Sequence, residues 1–313
     1  MSGVVEKVGK HVQGIQPGDK VWTSTYYKDV RAGCFQELVI VPKHTVAKIP
    51  KTVPFEYASC LGVPALTACM TLWKWLQVPM PSQDLEMAEA EEEAEPNAEP
   101  EEPSDRPEGT DLERDEEKDT EPAAAAAAED EEWLLIWGGS TATGQFATQV
   151  AVHAGLNVIT VNSATTKCLS ERLGATHVVV RDGKTDEEIL AAIRDATAGA
   201  HITRAIDLVG AKTAALVLAA VSKERPVHFA PLAFMSSSQV VPDNVTAHTV
   251  EMKRFVLDES SKYYADELNA LLEADMLVLP DVHLIEGGFD AIPGGLEMLK
   301  KGNMKGKKLI IKI

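Results

Sequence analysis

The stretch Leu134-Leu135-Ile136-Trp137-Gly138-Gly139-Ser140-Thr141-Ala142-Thr143-Gly144-Gln145-Phe146-Ala147 decides the fold. Its apolar start, preceded by Trp133, reads as a strand buried on both faces. Gly138, Gly139 and Gly144 frame a tight turn. Beyond it Phe146, Ala147, Val150, Ala151 and Ala154 share one face of a helix over 144–155. Strand, glycine turn and helix together let backbone approach a diphosphate closely, and the helix N-terminus offers free N–H groups and the positive end of a dipole. Ser140, Thr141 and Thr143 add hydroxyl donors. No lysine follows Gly144, so the turn is not a P-loop. The competing reading is a tight turn with no ligand. The elements that follow favour a nucleotide.

Downstream, strand and helix alternate. Strands are expected at 157–161, 177–180, 204–209 and 226–230, and helices at 165–173, 186–196 and 213–221. Five strands in succession, joined by four helices, predict a doubly wound parallel sheet of Rossmann type with helices on both faces. At the end of the second strand an NAD-specific site carries an acid for the ribose 2′-hydroxyl. Here the chain reads Asn162-Ser163-Ala164-Thr165-Thr166-Lys167, without one. Ser163, Thr165 and Thr166 can hydrogen-bond a 2′-phosphate and Lys167 can neutralise it, so NADPH is expected rather than NADH. A helix cap at Ser163 to Thr166 is compatible with that role.

Upstream, residues 1–82 carry short apolar runs punctuated by Pro and Gly. Strands are expected near Val4, Val21-Trp22, 35–41 and 46–49, which suggests a small barrel. Residues 55–61 and 65–76 read as helical, broken at Gly62-Val63-Pro64.

Between the two parts, residues 84–132 hold 23 acids and 3 bases, which leaves 25 acids and 27 bases in the rest of the 313-residue chain. The net charge of −18 therefore belongs to one segment. The body has no basic nucleic-acid-binding character. The segment, with five prolines and an alanine run over 123–128, is expected to be a disordered acidic insertion, either a solvated spacer or a contact for a basic partner. No run of about 18 apolar residues predicts a membrane span. The opening residues, Met1 to Lys7, lack the long apolar run expected of a signal peptide. Cys34, Cys60, Cys69 and Cys168 form no Cys-x-x-Cys pair. A cytoplasmic, reducing setting is expected.

Several motifs in order carry a family resemblance. They are Ser2-Gly3-Val4-Val5-x-x-Val8-Gly9, Pro17-Gly18-Asp19-Lys20-Val21, Gly33-Cys34-Phe35-Gln36-Glu37-Leu38-Val39, Leu66-Thr67-Ala68 and the Gly138–Gly144 turn. The tail Gly294-Gly295-Leu296-Glu297-Met298-Leu299-Lys300-Lys301-Gly302-x-x-x-Gly306-Lys307-Lys308-Leu309-Ile310 completes them. The chain resembles the zinc-free medium-chain dehydrogenases/reductases, and within them the fungal trans-acting enoyl reductases of polyketide synthases and their ToxD-like relatives.

The resemblance implies a GroES-like barrel and linking helix over 1–82, the insertion over 83–132, an NADPH-binding Rossmann domain over 133–276, and a C-terminal segment, 277–313, returning to the barrel. It implies NADPH-dependent reduction of a double bond conjugated to a thioester or ketone, with hydride going to the β-carbon. The substrate would be a small molecule or a carrier-bound acyl chain, and a polyketide synthase a possible partner.

By the same resemblance Gly138, Gly139, Ser140, Thr141, Ala142, Thr143 and Gly144 cradle the phosphates, and Ser163, Ala164, Thr165, Thr166 and Lys167 hold the 2′-phosphate. Val209 and Gly210 lie under the nicotinamide ribose, Ala291 and Ile292 close over the nicotinamide, and Thr67 faces it. For Thr67 a helix residue bonding its own turn is the alternative. Family members carry further residues before Ser2, so the barrel is expected to lack its first strands and to show unpaired edges.

The four-cysteine structural zinc set of zinc-dependent relatives is missing from the sequence, and the eight histidines are scattered. No metal site is assigned. Without a Lewis acid, alcohol oxidation is disfavoured, whereas an activated alkene can be reduced with hydrogen bonds holding the enolate. Tyr26, Tyr27 and Lys28 are candidates for a proton donor or carbonyl anchor, or an exposed loop; Tyr263 and Tyr264 read as packing. No catalytic residue is assigned. A quinone or enone reductase and a non-catalytic NADPH-binding remnant are the rival readings, and monomer and homodimer stand equally.

Overall fold

The structure is a computed structural model that describes residues 1–26, 28–81, 132–302 and 304–313. The acidic insertion lies outside the described residues apart from Glu132, and so does Tyr27.

Three short strands, β1 (Ser2–Val4), β2 (Lys20–Thr23) and β3 (Val46–Lys48), pair antiparallel in that order. The strand expected at 35–41 does not form. No described strand runs beside it, and its main anchor is the Ile40 N–H on the Arg31 carbonyl at 2.8 Å. Without a partner strand there is no sheet face to bury its alternating side chains, and Phe35, Leu38 and Ile40 stand 68%, 69% and 66% exposed.

The break expected at Gly62-Val63-Pro64 is also absent. One helical path runs through a 3-10 turn (Tyr57–Cys60), a π turn (Leu61–Ala65), α1 (Leu66–Met70) and a second π turn (Thr71–Trp75). A proline ring clashes with the carbonyl four residues back in a regular helix, and the wider turn accommodates it, with the Leu66 N–H reaching the Leu61 carbonyl. Gly62 is demanded by a crossing: a Cβ there would sit 2.1 Å from the Thr23 carbonyl oxygen.

The second half builds the doubly wound sheet. Its elements are β4 (Trp133–Trp137), α2 (Ala142–His153), β5 (Asn157–Asn162), α3 (Lys167–Arg172), β6 (His177–Val180), α4 (Asp186–Thr197), β7 (Ile202–Asp207), α5 (Ala211–Ala220), β8 (Val227–Pro231) and β9 (Val245–Ala247). The six strands are parallel in the order β6-β5-β4-β7-β8-β9. Period-two alternation splits β4 between two cores. Leu134 and Ile136 pack with α2 and the 57–75 helical path, while Trp133, Leu135 and Trp137 pack with Ile189, Ile193, Val217 and Leu218 of α4 and α5. Helix α2 lies between the sheet and α1, so every residue from Gly144 to Ala151 is buried. Helix α4 opens on a reciprocal Thr185–Glu188 cap.

After α6 (Lys253–Leu257) and α7 (Lys262–Glu273), β10 (Val282–Ile285) and β11 (Lys308–Ile311) pair parallel around α8 (Ile292–Lys301). Ile310 joins the core shared with α1, and Lys312 lies 3.8 Å from Glu56. Helix α7 is tied to the first sheet by Asn269, which accepts from the Trp22 indole at 2.9 Å and donates to the Lys48 carbonyl at 2.9 Å.

Candidate active site

The glycine turn is built by its neighbours. The Gly138 N–H donates to Val161 of β5, and the Thr141 N–H to the Gly138 carbonyl, both at 3.0 Å. Thr141 caps α2 by accepting the Gly144 N–H at 3.0 Å. Asn162 accepts the Ser140 N–H at 3.1 Å and is itself held by Thr160 and Ser170. A Cβ at Gly139 would meet Thr160 at 2.6 Å, so the turn lies flat on β5. Among the described residues, the N–H groups of Gly139, Ala142 and Thr143 have no hydrogen-bond partner. These unpartnered amides at a helix N-terminus fit a diphosphate. Buried Gln145 fastens the turn to the C-terminal segment, donating to the carbonyls of Ser140 at 3.0 Å and Gly306 at 2.7 Å.

Two cavities open beside the turn. One, of about 210 Å³, is lined by Thr67, Thr143, Leu208, Leu232, Ala233, Val250 and Met252. It brings Thr67 of α1 to Thr143 of the turn, and no side-chain hydrogen bond holds the Thr67 hydroxyl among the described residues. The other, of about 310 Å³, lies across β4 and is lined by Trp137, Arg181, Asp182, Lys184, Asp186, Ile189, Lys212, Thr213 and Leu216. The Trp137 indole N–H is buried without a partner. Val209 rests on the turn, its Cγ2 3.1 Å from where a Gly138 Cβ would sit. The Gly210 N–H donates to Asp207 Oδ2 at 3.0 Å. Asp207 is buried, with Oδ1 unpartnered, and burial pushes its carboxyl above the ordinary range against hydrogen bonds from Thr213, Gly210 and Val209. Ala291 leads into Ile292, the first residue of α8; neither lines either of these two cavities.

Around Ser163 the arrangement differs from the sequence reading in one respect. The Ser163 hydroxyl bonds those of Thr165 at 3.0 Å and Thr166 at 3.1 Å. Lys167 is paired with Glu171 at 3.5 Å. The loop does have an acid: Asp182 Oδ2 accepts the Ala164 N–H at 2.8 Å. Asp182 follows β6, and only the strand order, with β6 beside β5, brings it here. That order places Val180 opposite Asn162, with the Arg181 N–H on the Asn162 carbonyl at 3.0 Å.

Neither Tyr26 nor Lys28 lines either cavity. Tyr264 packs against Trp73, Tyr263 and Lys74. Among the described residues no three His, Cys, Asp or Glu side chains cluster as metal ligands, and no helix is long and apolar enough to cross a membrane.

Two family models match the chain. The alcohol dehydrogenase GroES-like domain covers residues 1–51 and the zinc-binding dehydrogenase model covers 142–273, together more than half of the chain. Among curated proteins, the trans-enoyl reductase resD of Aspergillus sclerotiorum is 26% identical over 334 residues, an alignment covering 100% of this chain and 84% of that protein. The CurK enoyl reductase structure superposes with a TM-score of 0.70 at 16% identity, covering 99% of this chain and 77% of that one. A putative NADPH:quinone reductase from Bacillus thuringiensis superposes with a TM-score of 0.69 at 16% identity, covering 100% and 79%. With both domain types matched in order, and the parallel six-stranded sheet following the antiparallel one, the chain belongs to the medium-chain dehydrogenase/reductase superfamily.

Proposed function

We propose that the protein is an NADPH-dependent oxidoreductase that reduces the double bond of an α,β-unsaturated acyl thioester. The observation that carries this reading is the trio of unpartnered amides, Gly139, Ala142 and Thr143, in the turn that follows Trp137 of the larger cavity and brings Thr143 to the smaller one. They are the donors for a diphosphate. The cavity containing Trp137 takes the adenosine side, and the one containing Thr67 takes the nicotinamide side with the substrate. When bound, NADPH supplies the hydride.

The chain's own residues do the rest. Leu208, Leu232, Val250 and Met252 give the reacting cavity apolar walls that exclude water and strengthen each polar contact inside it. The hydroxyls of Thr67 and Thr143 are the side-chain donors in that lining, suited to hold an amide or a carbonyl oxygen on which charge develops. Val209 and Gly210 support the ribose side, and Ala291 and Ile292 are proposed to close over the nicotinamide from α8.

The likeness to a trans-enoyl reductase supports a carrier-bound polyketide or acyl chain as substrate and a polyketide synthase as partner. The likeness to an NADPH:quinone reductase supports a quinone or enone as the second reading. The test is consumption of NADPH with crotonyl and cinnamoyl thioesters and with simple quinones. Saturable turnover of the thioesters establishes the reading. Turnover of quinones alone favours the second, and tight binding without any turnover leaves a cofactor-binding protein.

A further inference from the structure

We propose that Asp182 is the residue that sets the choice between phosphorylated and unphosphorylated coenzyme, by opposing a 2′-phosphate and accepting a 2′-hydroxyl at the Ala164 loop. The inference rests on the reading above, in which that loop receives the adenosine ribose. Within the loop the hydroxyls of Ser163, Thr165 and Thr166 are spent on one another, and Thr166 also donates to the Ser163 carbonyl at 3.2 Å. The Ala164 N–H points out of the loop, and Asp182 Oδ2 already occupies it at 2.8 Å.

The neighbouring cations offset that carboxylate only in part. Lys167 is drawn to Glu171, and Arg181 Nε faces Asp182 Oδ1 itself at 4.0 Å. A phosphate dianion has acceptors and no donor to offer a carboxylate, so entering the loop means displacing Asp182 or lying beside it. A 2′-hydroxyl can donate to Asp182 where it stands. The residue thus belongs to the loop through space and the strand order, although it lies 18 positions from Ala164 in the chain.

Asp182→Asn separates the two effects. The amide oxygen keeps an acceptor for the Ala164 N–H, while the charge is removed and Arg181 is released toward the incoming phosphate. A dianion and a carboxylate a few ångströms apart under near-aqueous screening correspond to about a tenfold change in affinity.

The experiment is titration of the wild type and Asp182→Asn with NADPH and NADH, read by tryptophan fluorescence at low and high salt, with melting curves for both proteins. The expected result is NADPH binding about tenfold tighter in the variant, NADH binding held or weakened, and a smaller gain at high salt. An unchanged ratio of the two dissociation constants, in a variant that melts as the wild type does and where the wild type saturates with NADPH, overturns the inference and leaves the cofactor reading intact. A folded wild type that saturates with neither coenzyme overturns the cofactor reading and the inference with it. Because Asp182 is read as the acceptor of the 2′-hydroxyl, the melting curves, and not NADH binding, report whether the variant is intact.

Discussion

Gly144→Ala is the most exacting substitution in the turn. A Cβ at this position would lie 2.5 Å from the Gly138 carbonyl oxygen and 2.8 Å from both the Cα and the carbonyl oxygen of Gly139. All three are backbone atoms, so no side chain can rotate away. Moving from 2.5 Å to the 3.4 Å of ordinary contact requires the turn to shift by about 0.9 Å. Overpacking of this kind costs about 1–3 kcal/mol, and alanine in place of glycine within α2 returns about 1 kcal/mol. The net loss of stability is therefore about 0–2 kcal/mol.

The effect on binding is larger, because the shift carries the amides of Gly139, Ala142 and Thr143 away from the positions they share. Displacements near 1 Å in a positioned site cost on the order of 100-fold. NADPH titration by tryptophan fluorescence, with a chemical melt, measures both quantities. Gly155→Ala is the control. Gly155 also has positive φ, at 76°, but a Cβ there meets nothing within 4 Å, so it carries a similar modest stability loss with binding unchanged. Wild-type affinity and stability in Gly144→Ala would refute the packing argument for the turn.

Other consequences follow from the same contacts. Gln145→Leu loses both carbonyl partners of a buried amide and is expected to destabilise by about 1–3 kcal/mol in denaturant melts, with weaker NADPH binding as the Gly306 loop loosens. Asp207 has its folded pKa raised, so its charged form works against the fold: this penalty is absent below the unfolded value and grows as pH rises through the folded one. Asp207→Asn should therefore gain on the wild type in melts run from about pH 4 upward. His228 and His248 stack with Nδ1 and Nε2 2.9 Å apart, and burial, then Arg204 for the first and His228 for the second, pushes both down. Their contribution is complete above about pH 6.5 and is lost as pH falls through the lower folded values, so His248→Gln should flatten the acid side of the stability profile.

What the sequence made legible was local. The strand, turn and first helix of the coenzyme half were readable because a fully apolar run, closely spaced glycines and a 3.6-residue period coincide in one short segment. The following βα units were readable for the same reason. What escaped depends on neighbours distant in the chain. Residues 35–41 have the composition of a strand, but pairing needs a strand alongside, and none of the described strands provides one. Pro64 signals a break, yet packing of Leu61, Ala65 and Leu66 into the core holds the path helical through a π turn. The short edge strand β9 has too few residues for any period to register. Asp182 is invisible as a site residue until the strand order sets β6 beside β5. Leu232, from the end of β8, and Val250 and Met252, from the stretch ahead of α6, reach the smaller cavity and carry no motif.

The account stands on reception of a phosphorylated dinucleotide at the turn after Trp137, and Trp137 itself lines the larger cavity. The most direct measurement is a titration of the folded protein with NADPH, following its tryptophan emission. The account predicts a saturable change that is weakened by Gly144→Ala. A flat titration in protein that melts cooperatively would contradict it.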